Sequence, residues 1–98
     1  MIIVTGQFTI DPAERDNFLQ GMVPALERTR KEGGCLEYVM GADPADPGRI
    51  VLLEKWESDE ALAAHAEALK TAPRSASTAR PTSMSILRYD ASNERSLM

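Results

Sequence analysis

Residues 51–69, VLLEKWESDEALAAHAEAL, pass from an apolar strand into an amphipathic helix, and the parity of the strand decides which side of a sheet that helix must cover. Side chains alternate along a strand, so Ile50, Leu52, Glu54 and Trp56 share one face, which is apolar except for one carboxylate. Ser58 is placed to cap the helix, and Asp59 and Glu60 put negative charge at the positive end of its dipole. The pattern predicts a helix to about Leu69. His65, the only histidine in the chain, lies three or four residues from Ala61, Leu62 and Leu69, on the half of the helix that faces the sheet.

Toward the N-terminus, DPADPG (43–48) is dense in turn formers and predicts a connection between two antiparallel strands. CLEYVMGA (35–42) is the partner strand. Strict alternation sets Leu36, Tyr38 and Met40 on one face and Cys35 and Val39 on the other. Before it, Asp11 and Pro12 open a helix, with Glu14 completing a capping-box pattern, and Gly33 and Gly34 end it. Its apolar stripe is Phe18, Leu19, Met22 and Leu26, and Pro24 predicts a kink near Gly21. IIVTGQFTI (2–10) is a strand with Val4, Gly6 and Phe8 on one face and Ile3, Thr5 and Gln7 on the other.

Toward the C-terminus, KTAPRSASTARPT (70–82) predicts irregular structure, with residues 70–83 forming either a lid or a disordered stretch. TSMSILRYD (82–90) is a fourth strand, and 91–98 forms a tail outside a single domain of residues 1–90. The order β-α-β-β-α-β predicts an α+β, ferredoxin-like fold: a four-stranded antiparallel sheet with two helices on one face. Ile3, Val51 and Leu53 then lie on the uncovered face, which predicts a homodimer closed sheet to sheet.

With 98 residues, there is room for one core and no second domain. A net charge of −4, with acids and bases interleaved, offers no basic stripe for a phosphate backbone, so nucleic acid is not an expected partner. No run approaches the ~18 apolar residues of a membrane span, and the first residues lack a signal-like apolar core, so the expected location is cytoplasmic and no membrane is an expected partner. Cys35 is the single cysteine, which excludes an internal disulfide and a thiolate metal cluster and leaves a structural thiol.

The segment EGGCLEYVMGADPADPGRIVLLEKWESDEALAAH carries G-C-x-x-Y, D-P-x-D-P, E-x-W-x-S and A-x-x-A-H in order. In this set and spacing the chain resembles the antibiotic biosynthesis monooxygenase family, the quinol monooxygenases of dimeric α+β barrel fold. The resemblance implies a cleft between helices and sheet, in which a small phenolic, quinol or anthrone-type aromatic substrate reacts with O2 without metal, flavin or haem. His65 is then the expected catalytic residue, as the proton-transfer or hydrogen-bonding group, with Tyr38, Glu54 and Trp56 as substrate contacts and Gly6 leaving room in the pocket floor for a flat ring.

Each of these residues also has a simpler role. His65 fits a satisfied core histidine, Trp56 and Tyr38 fit core filling, and Glu54 fits an ion pair with Arg49, Lys55 or Arg88. The haem-degrading branch of the fold has a ligating His, an Asn and a Trp where Ser75, Gly6 and His65 stand here, which counts against haem. A non-catalytic, small-molecule-binding or structural dimer is the alternative to the monooxygenase.

Overall fold

The computed structural model describes all 98 residues. Strand β1 (Ile2–Thr9) leads through a short 3-10 turn (Pro12–Glu14) into helix α1 (Arg15–Thr29); β2 (Cys35–Asp43), β3 (Asp46–Trp56), α2 (Asp59–Thr71) and β4 (Ser83–Asp90) come after it in chain order. The sheet order is β2-β3-β1-β4 with every neighbour antiparallel. This is the ferredoxin-like arrangement that the element order predicts. No helix is long and apolar enough to cross a membrane.

The parity of β1 and β3 holds as read. Ile2, Val4 and Phe8 on β1, with Ile50, Leu52 and Trp56 on β3, form the core together with Phe18 of α1. Phe8 and Phe18 meet edge to face at 6.3 Å, a favoured geometry for two rings with opposed edge and face potentials. Leu19, Met22 and Leu26 pack against this core as the helical stripe predicts. The α1 cap is half of the expected box: Asp11 Oδ1 accepts from the Ala13 N–H at 2.9 Å, and no side-chain bond from Glu14 closes it. Helix α1 is continuous through Pro24.

Two features depart from simple alternation. A bulge between Cys35 and Glu37 shifts the register of β2, so that Cys35 pairs with Trp56 and Tyr38 with Glu54. An extra residue in one strand reverses parity beyond it. Cys35, Tyr38 and Met40 therefore share the helix side, and Leu36, expected beside Tyr38, is 51% exposed. At the other end of β2, the predicted six-residue turn is tighter: Asp43 pairs with Asp46 across Pro44 and Ala45, and Asp43 Oδ1 accepts from the Ala45 N–H.

The link from α2 to β4 contains no helix or strand, as predicted, yet it is tied down. Ser75 Oγ donates to the Gly21 carbonyl at 3.1 Å, Ser77 Oγ bonds Asn17, Ala79 is buried, and the Thr82 N–H donates to the Thr9 carbonyl. Gly21 permits this: a Cβ there would sit 2.7 Å from Ser77 Cβ. The segment is a strap fastened across α1. On the opposite side of the sheet, Val39, Val51, Leu87 and Tyr89 are exposed, and Ile3 and Leu53 are only partly covered. Neither helix lies on that face, and from the tail Glu94 reaches Lys55 there.

Candidate functional site

The four polar and aromatic residues expected at a site come together where β2, β3 and α2 meet. Trp56 is fully buried, and its indole Nε1–H donates to Glu54 Oε1 at 2.9 Å along the same strand face. Glu54 is 6% exposed and His65 3%. The imidazole lies over the indole at 4.7 Å between centroids, tilted by 32°, and meets Tyr38 edge-on at 5.4 Å.

Arg49 pairs with Asp43, Lys55 with Glu94, and Arg88 with Asp59 and Asp90, so the ion pair expected for Glu54 is not made with any of them. Parity explains Lys55, which points to the other face. Arg88 shares the row of Glu54, but Val4 stands between them.

A fifth residue, not singled out in the sequence, completes the group. Glu32 places its carboxylate 2.9 and 3.3 Å from His65 Nδ1. Its loop is held by Gly34, which has φ +80 and lies so close to α2 that a Cβ would meet Ala61 Cβ at 2.5 Å. Both constraints demand glycine. The Gly34 carbonyl also accepts from the Glu57 N–H at 2.9 Å, so the end of α1 is fixed to the start of α2, ahead of His65.

This contact sorts the two imidazole nitrogens. A carboxylate only accepts, so Nδ1 carries a proton, and neutral His65 presents a lone pair at Nε2. Nε2 makes no hydrogen bond, and no buried side-chain nitrogen or oxygen lacks a partner, so Nε2 is open to solvent-accessible space. By the same reasoning the second oxygen of Glu54 and the hydroxyl of Tyr38 are open.

All three residues line a cavity of ≈ 620 Å³ between the sheet and the two helices. Its other walls are mainly apolar, with Phe18 and Met22 from α1, Leu62 and Leu69 from α2, and Met84 and Ile86 from β4. Such a volume suits a small planar molecule. Trp56 supports His65 and Glu54 from behind and does not reach the cavity; Gly6 is also absent from its lining. The space a Cβ on Gly6 would need is bounded by Leu52 Cβ at 3.1 Å and Phe8 Cε1 at 3.5 Å. The glycine thus accommodates two neighbouring side chains of the floor.

Tyr38 is pushed up to about 12, first by burial and then by the negative charges of Glu54 and Glu32. It is a phenol at neutral pH, a hydrogen-bond donor and not a base. The folded chain holds this proton more tightly than the unfolded chain, where tyrosine titrates near 10, so the associated stability is whole below pH ~10 and is lost as pH rises through the folded value. The wild type is expected to lose stability between pH 10 and 12 more steeply than Tyr38→Phe. Denaturation midpoints that fall in parallel over that window would remove Tyr38 as the cause. Burial, with Glu32 and Glu54 nearby, also pushes the Cys35 thiol up, which fits the structural role expected of it.

The sequence model of the family described as antibiotic biosynthesis monooxygenase matches residues 1–70. The chain belongs to the antibiotic biosynthesis monooxygenase family. It is 27% identical over 67 residues to YcnE of Bacillus subtilis (strain 168), whose name assigns it provisionally as a monooxygenase; the match covers 68% of this chain and 70% of YcnE. A crystal structure from Deinococcus radiodurans, named provisionally as an antibiotic biosynthesis monooxygenase, superposes with a TM-score of 0.80 at 25% identity, covering 100% of this chain and 99% of the other. A second crystal structure, named as an antibiotic biosynthesis monooxygenase, gives a TM-score of 0.70 at 26% identity, covering 95% of this chain and 100% of that one.

The region matched to the family holds Glu32, Tyr38, Glu54, Trp56 and His65, whereas the strap and β4 lie beyond it. Ser75 donates to the Gly21 carbonyl and belongs to the strap. No three His, Cys, Asp or Glu side chains converge as a metal site would require.

Proposed function

We propose that this member of the family is a monooxygenase that oxidises a small planar phenol, quinol or anthrone-type molecule with O2 in the cavity, with electrons supplied by the substrate itself. The observation that carries the reading is the lone pair of His65 Nε2, held open to an apolar cavity by the Glu32 contact on Nδ1. His65 takes the proton whose removal makes the substrate electron-rich, and the proton then rests on Nε2. The imidazolium is stabilised by Glu32, as a carboxylate stabilises a charged partner at hydrogen-bond distance. Tyr38 donates to the substrate oxygen that gains negative charge, and the open oxygen of Glu54 orients a second hydroxyl.

For a methylene between phenolic rings the balance is simple. The carbanion forms a carbon–oxygen bond with O2, the O–O bond of the resulting peroxide breaks, one oxygen stays as a carbonyl and the other leaves as water. The apolar walls keep bulk water from protonating the carbanion before O2 arrives.

Oxygen uptake by purified, metal-free protein is expected on a panel of hydroquinones and anthrones, above a no-enzyme control for autoxidation. A ligand that binds while oxygen uptake stays at the control rate would favour the non-catalytic scaffold. The same reading includes a homodimer joined through the open sheet face, supported by exposed Val39, Val51, Leu87 and Tyr89. Sedimentation equilibrium at micromolar concentration should return twice the chain mass, and a monomer there would exclude it.

A further inference from the structure

Apart from Arg88, whose charge is met by Asp59 and Asp90, the cavity is polar at two places, and only one of them takes part in the chemistry above. Tyr38, Glu54 and His65 occupy the first. At the second, Arg80 of the strap lines the wall together with Pro81. Its guanidinium is fixed from one side: Nη1 donates to the Ser77 carbonyl at 2.9 Å and to the Ala79 carbonyl at 2.7 Å. Those two bonds use both protons of Nη1 and leave Nε and Nη2 free, the pair that forms a side-on fork for a planar carboxylate. Arg80 also pairs with no acidic side chain, whereas Arg88, the other arginine of the lining, is compensated by Asp59 and Asp90.

The sheet register shows how far apart the two polar places are. Glu54 pairs with Val4 of β1, and the strap joins β1 at the far end, where the Thr82 N–H bonds the Thr9 carbonyl. The cavity lining runs from the Val4–Glu54 row to the Phe8–Met84 row, next to the strap, four residues or ~13 Å along β1. Two fused aromatic rings with a polar group at each end match that span.

Resting on the phenol-oxidising reading, we propose that the substrate is an aromatic carboxylic acid whose reacting hydroxyl faces His65 and Glu54 and whose carboxylate, at the opposite end of the ring system, is received by Arg80. The anion balances the one cation of the cavity that the protein leaves uncompensated. Its position at the far end keeps it away from Glu54 and Glu32, which would repel it. Arg80 is therefore a specificity residue: it selects and orients the substrate and does not touch the reacting atoms.

The test is equilibrium binding by calorimetry with three probes: a hydroxynaphthoate with its hydroxyl and carboxylate on opposite rings, the naphthol lacking the carboxylate, and the isomer with both groups adjacent on one ring. The first probe should bind wild type about tenfold tighter than the naphthol, the gain expected of one charge-assisted fork at a partly hydrated site. Arg80→Gln should erase that gain, so that the variant binds the hydroxynaphthoate and the naphthol equally, and Arg80→Lys should restore only part of it, because an ammonium offers no fork. The adjacent isomer should bind no better than the naphthol.

Equal affinities for the first two probes, or a gain that survives in Arg80→Gln, would overturn the carboxylate assignment even if the protein consumes oxygen. No binding of any of the three would overturn it together with the reading of the cavity as an aromatic site.

Discussion

Oxygen uptake by His65→Ala is expected to fall at least about a hundredfold below wild type, the lower end of what a positioned proton acceptor contributes. The whole effect rests on one lone pair. His65 is nearly sealed and its one unpartnered nitrogen is Nε2, so no other nitrogen of the chain's single histidine can substitute when the ring is removed. Because the ring also packs on Trp56, the folded fraction of the variant must be measured first and the rate expressed per folded chain. Glu32→Gln separates position from chemistry. The amide can accept from Nδ1 or donate to it, so the ring is no longer held in one tautomer, and the rate should fall by less than in His65→Ala. The chain has a single histidine, so nitrogen NMR of the labelled ring reads this directly. Wild type should show a protonated Nδ1 and a bare Nε2 at high pH, and Glu32→Gln a mixture. A wild-type ring protonated at Nε2 would end the proposed role even if uptake fell in the alanine variant.

The fold was legible because its deciding signals are local. Ile50, Leu52, Glu54 and Trp56 repeat every second residue and Ser58 caps the next helix; both signals survive in the structure, where Ser58 Oγ accepts from the Ala61 N–H. The bulge at Cys35–Glu37 was not legible for a physical reason. Leu36 is as apolar as a core residue, and only the pairing of Tyr38 with Glu54 across β3 determines that Leu36 is the one turned outward. Glu32 was hidden in a different way. It is 33 residues from His65, in a loop whose path depends on Gly34 closing on Ala61, and a charge before two glycines reads equally as a solvated helix end. Glu54 was placed correctly but given the wrong partner: it bonds Trp56, while Lys55 points to the other face, Val4 separates it from Arg88, and Arg49 pairs with Asp43. The strap shows the limit of composition. Small polar residues between prolines suggest mobility, yet Ser75 and Ser77 are the groups that fasten it to Gly21 and Asn17.

Trp56 is where stability and the site depend on the same atoms, and its substitution should have the largest effect on folding. Trp56→Ala removes a fully buried indole and should cost about 3–5 kcal/mol, a large share of the roughly 5–15 kcal/mol that holds such a domain together. Trp56→Phe is the sharper probe. The ring beneath His65 remains, but the Glu54 side chain loses the only hydrogen bond it makes within the protein, and leaving a buried acceptor unmatched costs about 1–3 kcal/mol. Glu54→Leu leaves the indole N–H unmatched in turn, at a similar cost. The double variant has neither orphan, so its loss in urea unfolding should be clearly smaller than the sum of the two single losses. Strict additivity would mean that the Trp56–Glu54 bond contributes nothing to the folded state. Activity should show a different pattern from stability: the double variant, though steadier than the sum of the single losses implies, lacks the carboxylate that faces the cavity and should stay slow. Recovery of stability without recovery of oxygen uptake would place the value of Glu54 in the substrate-facing oxygen, with the indole serving to aim it.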